Sequence, residues 1–155
     1  MADRASASDS ADDGARATAS GGAGPGITEL FERARAVQVN AHVPYSGFAV
    51  GAAVRTASGA VFVGCNVENA AYPEGVCAEA SAISAMVSGG ERQIVEVLTV
   101  ADGERVATCC GGCRQKLREF AALDTPIHAA GPEGVRKTFT LAELLPESFG
   151  PEHLA

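Results

Sequence analysis

Several features that mark common functional classes are missing from this sequence. No apolar run approaches the roughly 20 residues that a helix needs to span a bilayer, so we expect no membrane partner. The start of the chain holds no apolar core flanked by basic residues, as a secretory signal would, so we expect a cytoplasmic location. The glycine-rich stretch at residues 21–26 follows no predicted strand and therefore does not qualify as a phosphate-binding loop.

Basic residues are also scarce. The chain of 155 residues carries 12 Lys and Arg against 19 Asp and Glu, which gives a formal net charge of −7. Proteins that bind nucleic acids gain much of their affinity by neutralising phosphates with Lys and Arg. An acidic chain without a basic run is poorly suited to that task, so we expect no nucleic-acid partner.

Composition divides the chain into two parts. Residues 1–26 are rich in Ala, Ser, Gly and Asp and hold almost nothing large to bury. Such a segment cannot offset the entropy lost on ordering, so we predict a disordered tail. Residues 27–155 contain alternating helical and strand patterns, and their length suits a single packed domain.

The hydrophobic pattern of that domain predicts four helices and five strands. Apolar residues recur at helical spacing in the segments 27–42, 76–88, 112–123 and 141–150. Alternating or β-branched runs predict strands at 48–56, 60–68, 94–101, 126–131 and 135–140. Helices that alternate with strands in this way predict an α/β fold, a three-layer α-β-α sandwich around a mixed five-stranded sheet.

Five cysteines stand out, because three of them lie in the run Cys-Cys-Gly-Gly-Cys: Cys65, Cys77, Cys109, Cys110 and Cys113. An odd number of cysteines in a chain expected in the cytoplasm does not indicate a disulfide framework. Reduced thiols clustered so closely more often bind a metal ion.

Three of these residues, Cys77, Cys110 and Cys113, are predicted to bind one catalytic zinc ion. Cys77 and the Cys110–Cys113 pair each open a predicted helix, where free N–H groups favour thiolate over thiol. Residues three apart on a first turn share a face, so Cys110 and Cys113 can chelate one ion. Three protein ligands leave one coordination position for water, as catalytic zinc sites do.

Glu79 is the predicted catalytic residue. It lies two residues after Cys77, close to the metal but not needed as a ligand, and a carboxylate there can carry a proton from water to a substrate nitrogen. The alternative is a non-catalytic protein with a closed structural zinc site, in which Cys109 or Cys65 supplies a fourth ligand. Adjacent side chains diverge along a helix or strand, which disfavours Cys109 beside Cys110.

Five motifs in a fixed order then define a resemblance: YSGFAVGAA, GCNVENAAY, CAEASAI, CCGGCRQKLREF and LAELLPESFGPEHL. From about Ile27 to Leu154 the chain resembles the homotetrameric, zinc-dependent cytidine deaminases of nucleoside salvage. The resemblance implies a zinc cofactor, a homotetramer with shared active sites, and a small nucleoside substrate. The implied reaction is hydrolytic deamination of free cytidine and 2′-deoxycytidine to uridine and 2′-deoxyuridine, with release of ammonia.

The resemblance also implies a set of substrate-binding residues: Phe48, Asn66, Glu68, Tyr72, Ala78 and Phe149. Asn66 and Glu68 would hold the ribose hydroxyls, and Phe48 would stack on the pyrimidine. The backbone N–H of Ala78 would contact the carbonyl of the base. Phe149 would reach the substrate of a neighbouring subunit.

The chain departs from the family pattern at two positions beside the predicted zinc site. Ala80 stands where the family has an arginine that offsets the charge of the three thiolates, and Arg114 is a candidate to replace it in part. Cys109 stands where the family has proline. These departures leave open a deaminase of another aminopyrimidine nucleoside, such as a blasticidin-type antibiotic.

Overall fold

The structure, a computed structural model, describes residues 25–154. Its helices and strands, in chain order, are α1 (Pro25–Gln38), β1 (Val50–Thr56), β2 (Val61–Cys65), α2 (Ala78–Ser88), β3 (Ile94–Ala101), α3 (Gly111–Phe120), β4 (Pro126–Gly131), β5 (Gly134–Thr140) and α4 (Leu141–Leu144). The predicted disordered tail lies outside the described residues except for its last two, which already belong to α1. No helix in this part of the chain is long and apolar enough to cross a membrane.

The five strands form one mixed sheet in the order β2-β1-β3-β4-β5. Strands β3 and β4 are parallel, and every other neighbouring pair is antiparallel. Because β3 is central and almost fully buried, its sequence is a nearly continuous apolar run rather than an alternating one.

Helices cover both faces of the sheet. Leu30 and Ala34 of α1 pack against Ala53, Leu98 and Val100 on one face. On the other face, residues of α2, α3 and α4 pack against neighbouring positions of the same strands: Ala82, Met86, Leu117, Leu141, Val54 and Val97. Successive residues of a strand point to opposite faces, so each strand contributes to both layers. The predicted three-layer α-β-α sandwich is confirmed.

A glycine fixes the distance between β2 and α2. A Cβ added to Gly64 would lie 2.4 Å from the backbone nitrogen of Ala82 and 2.6 Å from the carbonyl oxygen of Ala78. Both are backbone atoms, which cannot rotate away as a side chain could. The first turn of α2, which contains Ala78 and Glu79, therefore rests directly on the strand.

Two helix ends differ from the prediction. The first helix was expected to continue to residue 42 but ends at Gln38, because the backbone of His42 pairs instead with the segment after β2: His42 N–H donates to Asn66 O, and His42 O accepts from Glu68 N–H. The last helix was expected to reach residue 150 but ends at Leu144. Leu145 precedes a proline, which disfavours helical backbone at that position.

The start of β1 also differs. The predicted strand began at Phe48, whereas pairing starts at Val50. Asn66, which follows β2, explains the shift: its side-chain oxygen accepts from Val50 N–H at 2.8 Å, and its side-chain nitrogen donates to Phe48 O at 2.9 Å. A side chain thus takes the place of the strand ladder and leaves Phe48 outside the sheet.

Candidate active site

Two helix N-termini bring three thiols together. Cys77 is the N-cap residue of α2, Cys110 is the N-cap residue of α3, and Cys113 lies in the first turn of α3. The three Sγ atoms lie within 4.8 Å of one another, and those of Cys77 and Cys110 are 3.7 Å apart. A tetrahedral zinc ion with Zn–S bonds of about 2.3 Å places its sulfur ligands about 3.8 Å apart. The donor set therefore fits zinc.

The three thiols need a nearby cation if they are to be ionised together. Burial raises the pKa of the Cys113 thiol, and the charge of nearby Glu79 raises it further. Burial is also the main reason why the pKa of Cys77 is raised. Of these three thiols, Cys110 alone has a lowered pKa: burial opposes the shift, but the hydrogen bonds from the backbone N–H of Cys113 and from the side chains of Cys77 and Cys113 together outweigh burial. A divalent cation would offset these penalties and bind the thiolates.

Glu79 lies beside this cluster on the first turn of α2. Its side chain is buried, with 4% of the residue exposed. The Thr99 hydroxyl donates a hydrogen bond of 3.4 Å to Glu79 Oε1. Three sulfurs next to one buried carboxylate, which is not itself part of the thiol cluster, form a site suited to proton transfer at a metal.

Cys109 contacts Thr99 and is not part of the cluster of three thiols. It is buried, and its sulfur lies 3.7 Å from Thr99 Oγ1. Burial, reinforced by the charge of Glu79, raises the pKa of Cys109 to about 12. Among the described residues, the metal-binding cluster contains Cys77, Cys110 and Cys113 and neither Cys109 nor Cys65.

The expectation that Arg114 replaces the missing arginine beside the sulfurs is wrong. Its guanidinium donates to the backbone oxygens of Cys109 and Leu144, at 2.8 Å and 2.7 Å. Its third nitrogen donates to the hydroxyl of Thr108 at 2.8 Å. Arg114 therefore connects the loop before α3 to the end of α4. Ala80 is partly buried against the core, and its side chain carries no charge that could offset the thiolates.

A cavity of about 250 Å³ opens onto the cluster. Most of the residues predicted for the site line it: Phe48, Asn66, Cys77, Ala78, Glu79 and Cys110. Cys113 is buried beneath. The wall also contains residues that the sequence did not single out: Val50, Thr99, Ala101, Ala107 and Thr108. Thr99 could have been noticed as the one hydroxyl within the otherwise apolar second half of β3.

Phe48 forms part of the cavity wall rather than of the core. It is 46% exposed, unlike the apolar residues of the strand that follows it. Its position is fixed by the hydrogen bonds that Asn66 makes to the backbone on either side of Ala49. An exposed aromatic ring held on a rigid segment is a suitable surface for stacking on a planar ring.

Glu68 and Tyr72 lie in a second groove, of about 390 Å³, whose lining does not include the thiols. Glu68 Oε2 accepts from the backbone N–H groups of Tyr45 and Ser46, at 2.9 Å and 3.2 Å. The Ser46 and Tyr45 contacts lower the pKa of Glu68. The Tyr72 ring meets the Tyr45 ring edge-on at 5.7 Å. Tyr45 and Ser46 belong to the YSGF motif, yet neither was predicted as a site residue.

Phe149 lies outside both cavities. It is 57% exposed, stacks on His153 with 4.9 Å between ring centres, and its backbone oxygen accepts from the Gln115 side chain at 2.9 Å. The described chain does not bring Phe149 to its own thiol cluster.

A buried carboxylate beside three thiols at helix N-termini, on an α/β sandwich, defines the class of zinc-dependent hydrolytic enzymes. Comparison with known proteins narrows this class. Residues 27–129, more than half of the chain, match the model of the cytidine and deoxycytidylate deaminase zinc-binding region. The chain belongs to this family, and zinc is its metal.

Individual relatives agree with this assignment. A cytidine deaminase of Sporosarcina psychrophila is 37% identical over 129 residues, which cover 83% of this chain and 95% of that protein. A cytidine deaminase of Halalkalibacterium halodurans is 38% identical, with 81% of this chain and 95% of that protein covered. The crystal structure of cytidine deaminase from Burkholderia pseudomallei superposes with a TM-score of 0.74 at 34% identity, covering 79% of this chain and 98% of that one.

Proposed function

We propose that this protein catalyses the hydrolytic deamination of free cytidine and 2′-deoxycytidine, releasing ammonia and leaving uridine or 2′-deoxyuridine. One observation carries the proposal: a single cavity joins the thiol cluster and Glu79 to the exposed ring of Phe48. A cytosine ring stacked on Phe48 would lie in the same small space as the proton carrier and the metal ligands.

Cys77, Cys110 and Cys113 would hold zinc, and bound zinc would supply a water molecule with a pKa near neutrality. Glu79 accepts a proton from that water and delivers it to N3 of the pyrimidine, which makes C4 more electrophilic. The hydroxide adds to C4. Glu79 then moves the proton of the new C4 hydroxyl to the amino group, the C4–N bond breaks, and ammonia leaves as the C4 carbonyl forms.

The remaining predicted residues bind the nucleoside in this proposal. Ala78 is the first residue of α2, where backbone N–H groups lack partners within the helix, so its N–H can donate to the carbonyl of the base. Asn66 and Glu68 hold the ribose hydroxyls. The two bonds that Glu68 accepts both end on Oε2, which leaves Oε1 able to accept from a hydroxyl. Tyr72 closes the groove beside Glu68.

The lining charges favour a nucleoside over a nucleotide. Glu79 lines the cavity and Glu68 lines the groove, whereas neither lining includes Lys, Arg or His among the described residues. A 5′-phosphate next to these carboxylates would meet repulsion without a compensating cation. The same reasoning, with the acidic composition of the chain, supports a free nucleoside rather than a polynucleotide, and we place the reaction in the cytoplasm.

We further propose a homotetramer with shared active sites. The exposed Phe149 lies outside the cavity of its own chain, so it can serve a neighbouring site only if another copy packs against it. The alternative of a closed structural zinc receives no support from the geometry, because Cys109 bonds to Thr99 instead of joining the cluster.

The test is the variant Glu79→Gln, which keeps the shape of the side chain but cannot accept a proton. We expect wild-type protein with about one zinc per chain to release ammonia from cytidine, and the variant to bind zinc but release none. Glu119→Gln, on an exposed position of α3, is the matched control and should stay active. Assays on cytidine, cytidine 5′-monophosphate and a blasticidin-type nucleoside define the substrate. Activity retained by Glu79→Gln would refute the mechanism.

A further inference from the structure

We propose that Thr99, supported by Cys109, is a positioning residue that holds the Glu79 carboxylate in the orientation needed for proton transfer. This inference rests on the proposed function, because it concerns how the Glu79 carboxylate transfers protons in that reaction. Thr99 is not among the predicted site residues, and Cys109, weighed only as a fourth ligand of a structural zinc, lies outside the thiol cluster.

The geometry begins with a buried hydroxyl. Thr99 lies on the central strand β3, 3% exposed, on the face that carries α2 and α3. Its Oγ1 is 3.4 Å from Glu79 Oε1 on one side and 3.7 Å from Cys109 Sγ on the other. The residue before it, Leu98, and the residue after it, Val100, point to the opposite face and pack under α1.

The direction of this chain of hydrogen bonds follows from the atoms available. An ionised carboxylate can only accept hydrogen bonds, so Thr99 must donate its single hydroxyl hydrogen to Glu79. The hydroxyl oxygen can then accept from the Cys109 thiol. In the proposed arrangement the thiol donates to the hydroxyl while the hydroxyl donates to the carboxylate, and Cys109 also lies within hydrogen-bond reach of Glu79 itself.

Such an arrangement gives the two carboxylate oxygens different tasks. Oε1 is held by Thr99 against the strand, which limits rotation of the carboxylate. In this proposal Oε2 takes the proton from water and gives it to the pyrimidine nitrogen. Because proton transfer requires hydrogen-bond distances to both groups in turn, a carboxylate that rotates freely would spend less time in the productive orientation.

The experiment compares Thr99→Val, which keeps the branched shape but removes the hydroxyl, with Thr99→Ser, which keeps the hydroxyl. We expect Thr99→Val to lower kcat on cytidine about tenfold, as for one lost hydrogen bond to a charged group, with KM changed by less than about twofold. Thr99→Ser should recover kcat to within about threefold of the wild type, and all variants should bind one zinc.

Thr56→Val is the matched control. Thr56 is also a buried threonine on an adjacent strand, but its hydroxyl bonds to Ser58 near the hairpin turn, where β1 pairs with the start rather than the end of β3. Its kcat should equal that of the wild type. Cys109→Ala keeps the Thr99 bond but removes its support, so we expect a smaller decrease in kcat, about two- to threefold.

The outcomes separate the two proposals. An active wild type together with an unchanged kcat in Thr99→Val, or no recovery in Thr99→Ser, would overturn the positioning role alone. A raised KM with unchanged kcat would do the same, since it would make Thr99 a substrate contact. A zinc-loaded wild type that leaves cytidine untouched would overturn the proposed function, and this inference with it. If Thr99→Val fails to fold, a Cys109→Ala variant with wild-type kcat and zinc content decides against the inference.

Discussion

Replacing Asn66 with alanine removes two hydrogen bonds that hold the backbone beside Phe48. One is accepted by the side-chain oxygen from Val50 N–H at 2.8 Å, and the other is donated by the side-chain nitrogen to Phe48 O at 2.9 Å. Both distances are normal for strong N–H···O bonds. The resemblance assigns Asn66 to the ribose, but these contacts give it a structural task that exists without substrate.

The magnitude follows from the two bonds. Each contributes about 1 kcal/mol net to stability, so Asn66→Ala should lower the free energy of unfolding by about 2 kcal/mol. For a domain of this size, with 155 residues in the whole chain, 1 kcal/mol corresponds to roughly 3–4 °C in the melting temperature. The expected decrease is therefore about 6–8 °C in the absence of any nucleoside.

Urea unfolding and thermal melting, at one protein concentration and with zinc saturating, measure this effect. Asn40→Ala is the control, because Asn40 is exposed and should change stability by less than about 0.5 kcal/mol. Asn66→Asp keeps the acceptor for Val50 but sets a second oxygen against Phe48 O, so at neutral pH it should be destabilised at least as much as Asn66→Ala.

A ligand-free melting temperature for Asn66→Ala equal to that of the wild type would refute this reasoning. Asn66 would then serve the substrate only, and the segment before β1 would be held by other contacts. A loss of stability in Asn66→Ala that Asn66→Asp fully restores would show that the bond to Phe48 O contributes nothing.

Two further predictions concern the metal and the acid limit. Cys113→Ser should lose its zinc and its activity, while Cys109→Ser should keep one zinc per chain by elemental analysis; the opposite pattern would require a different ligand set. Because Ser46 and Tyr45 lower the pKa of Glu68, its contribution to stability is present above the unfolded pKa of about 4.3 and is lost as pH falls. The stability difference between wild type and Glu68→Gln should therefore shrink below about pH 4.3; an equal difference at pH 3 and pH 7 would contradict this.

The layers of the fold and some strand bounds could be predicted from local pattern, but the end of α1 and the start of β1 could not. The run Ile94–Ala101 indicated a buried central strand, and the structure confirms it with the same bounds. The end of α1 at Gln38 depended on pairing between His42 and residues 66–68, which are far away in sequence. Only a proline effect visible in the sequence, at Leu145, could have shortened the last helix in advance.

The candidate site also has a part that local sequence predicts and a part that depends on residues distant in sequence. The spacing of Cys77, Cys110 and Cys113 is a property of the sequence, and it predicted the thiol cluster that the structure contains. The neighbours of Glu79 could not be read in this way, because Thr99 belongs to a strand 20 residues later and is brought near only by the packing of α2 on the sheet. The prediction that Arg114 offsets the charge of the thiolates was wrong for a related reason: its guanidinium binds the backbone oxygen of Leu144, at the end of α4.

The contact between Gly64 and the first turn of α2 makes the geometry of the active site depend on the packing of β2. The backbone that touches Gly64 belongs to the turn that carries Ala78 and Glu79, and Cys77 comes just before it. Any side chain at position 64 would move a proton carrier, a metal ligand and a backbone donor as one unit. Substitutions that change how β2 packs on α2 are therefore limited by the needs of catalysis, although no atom of Gly64 lines the cavity.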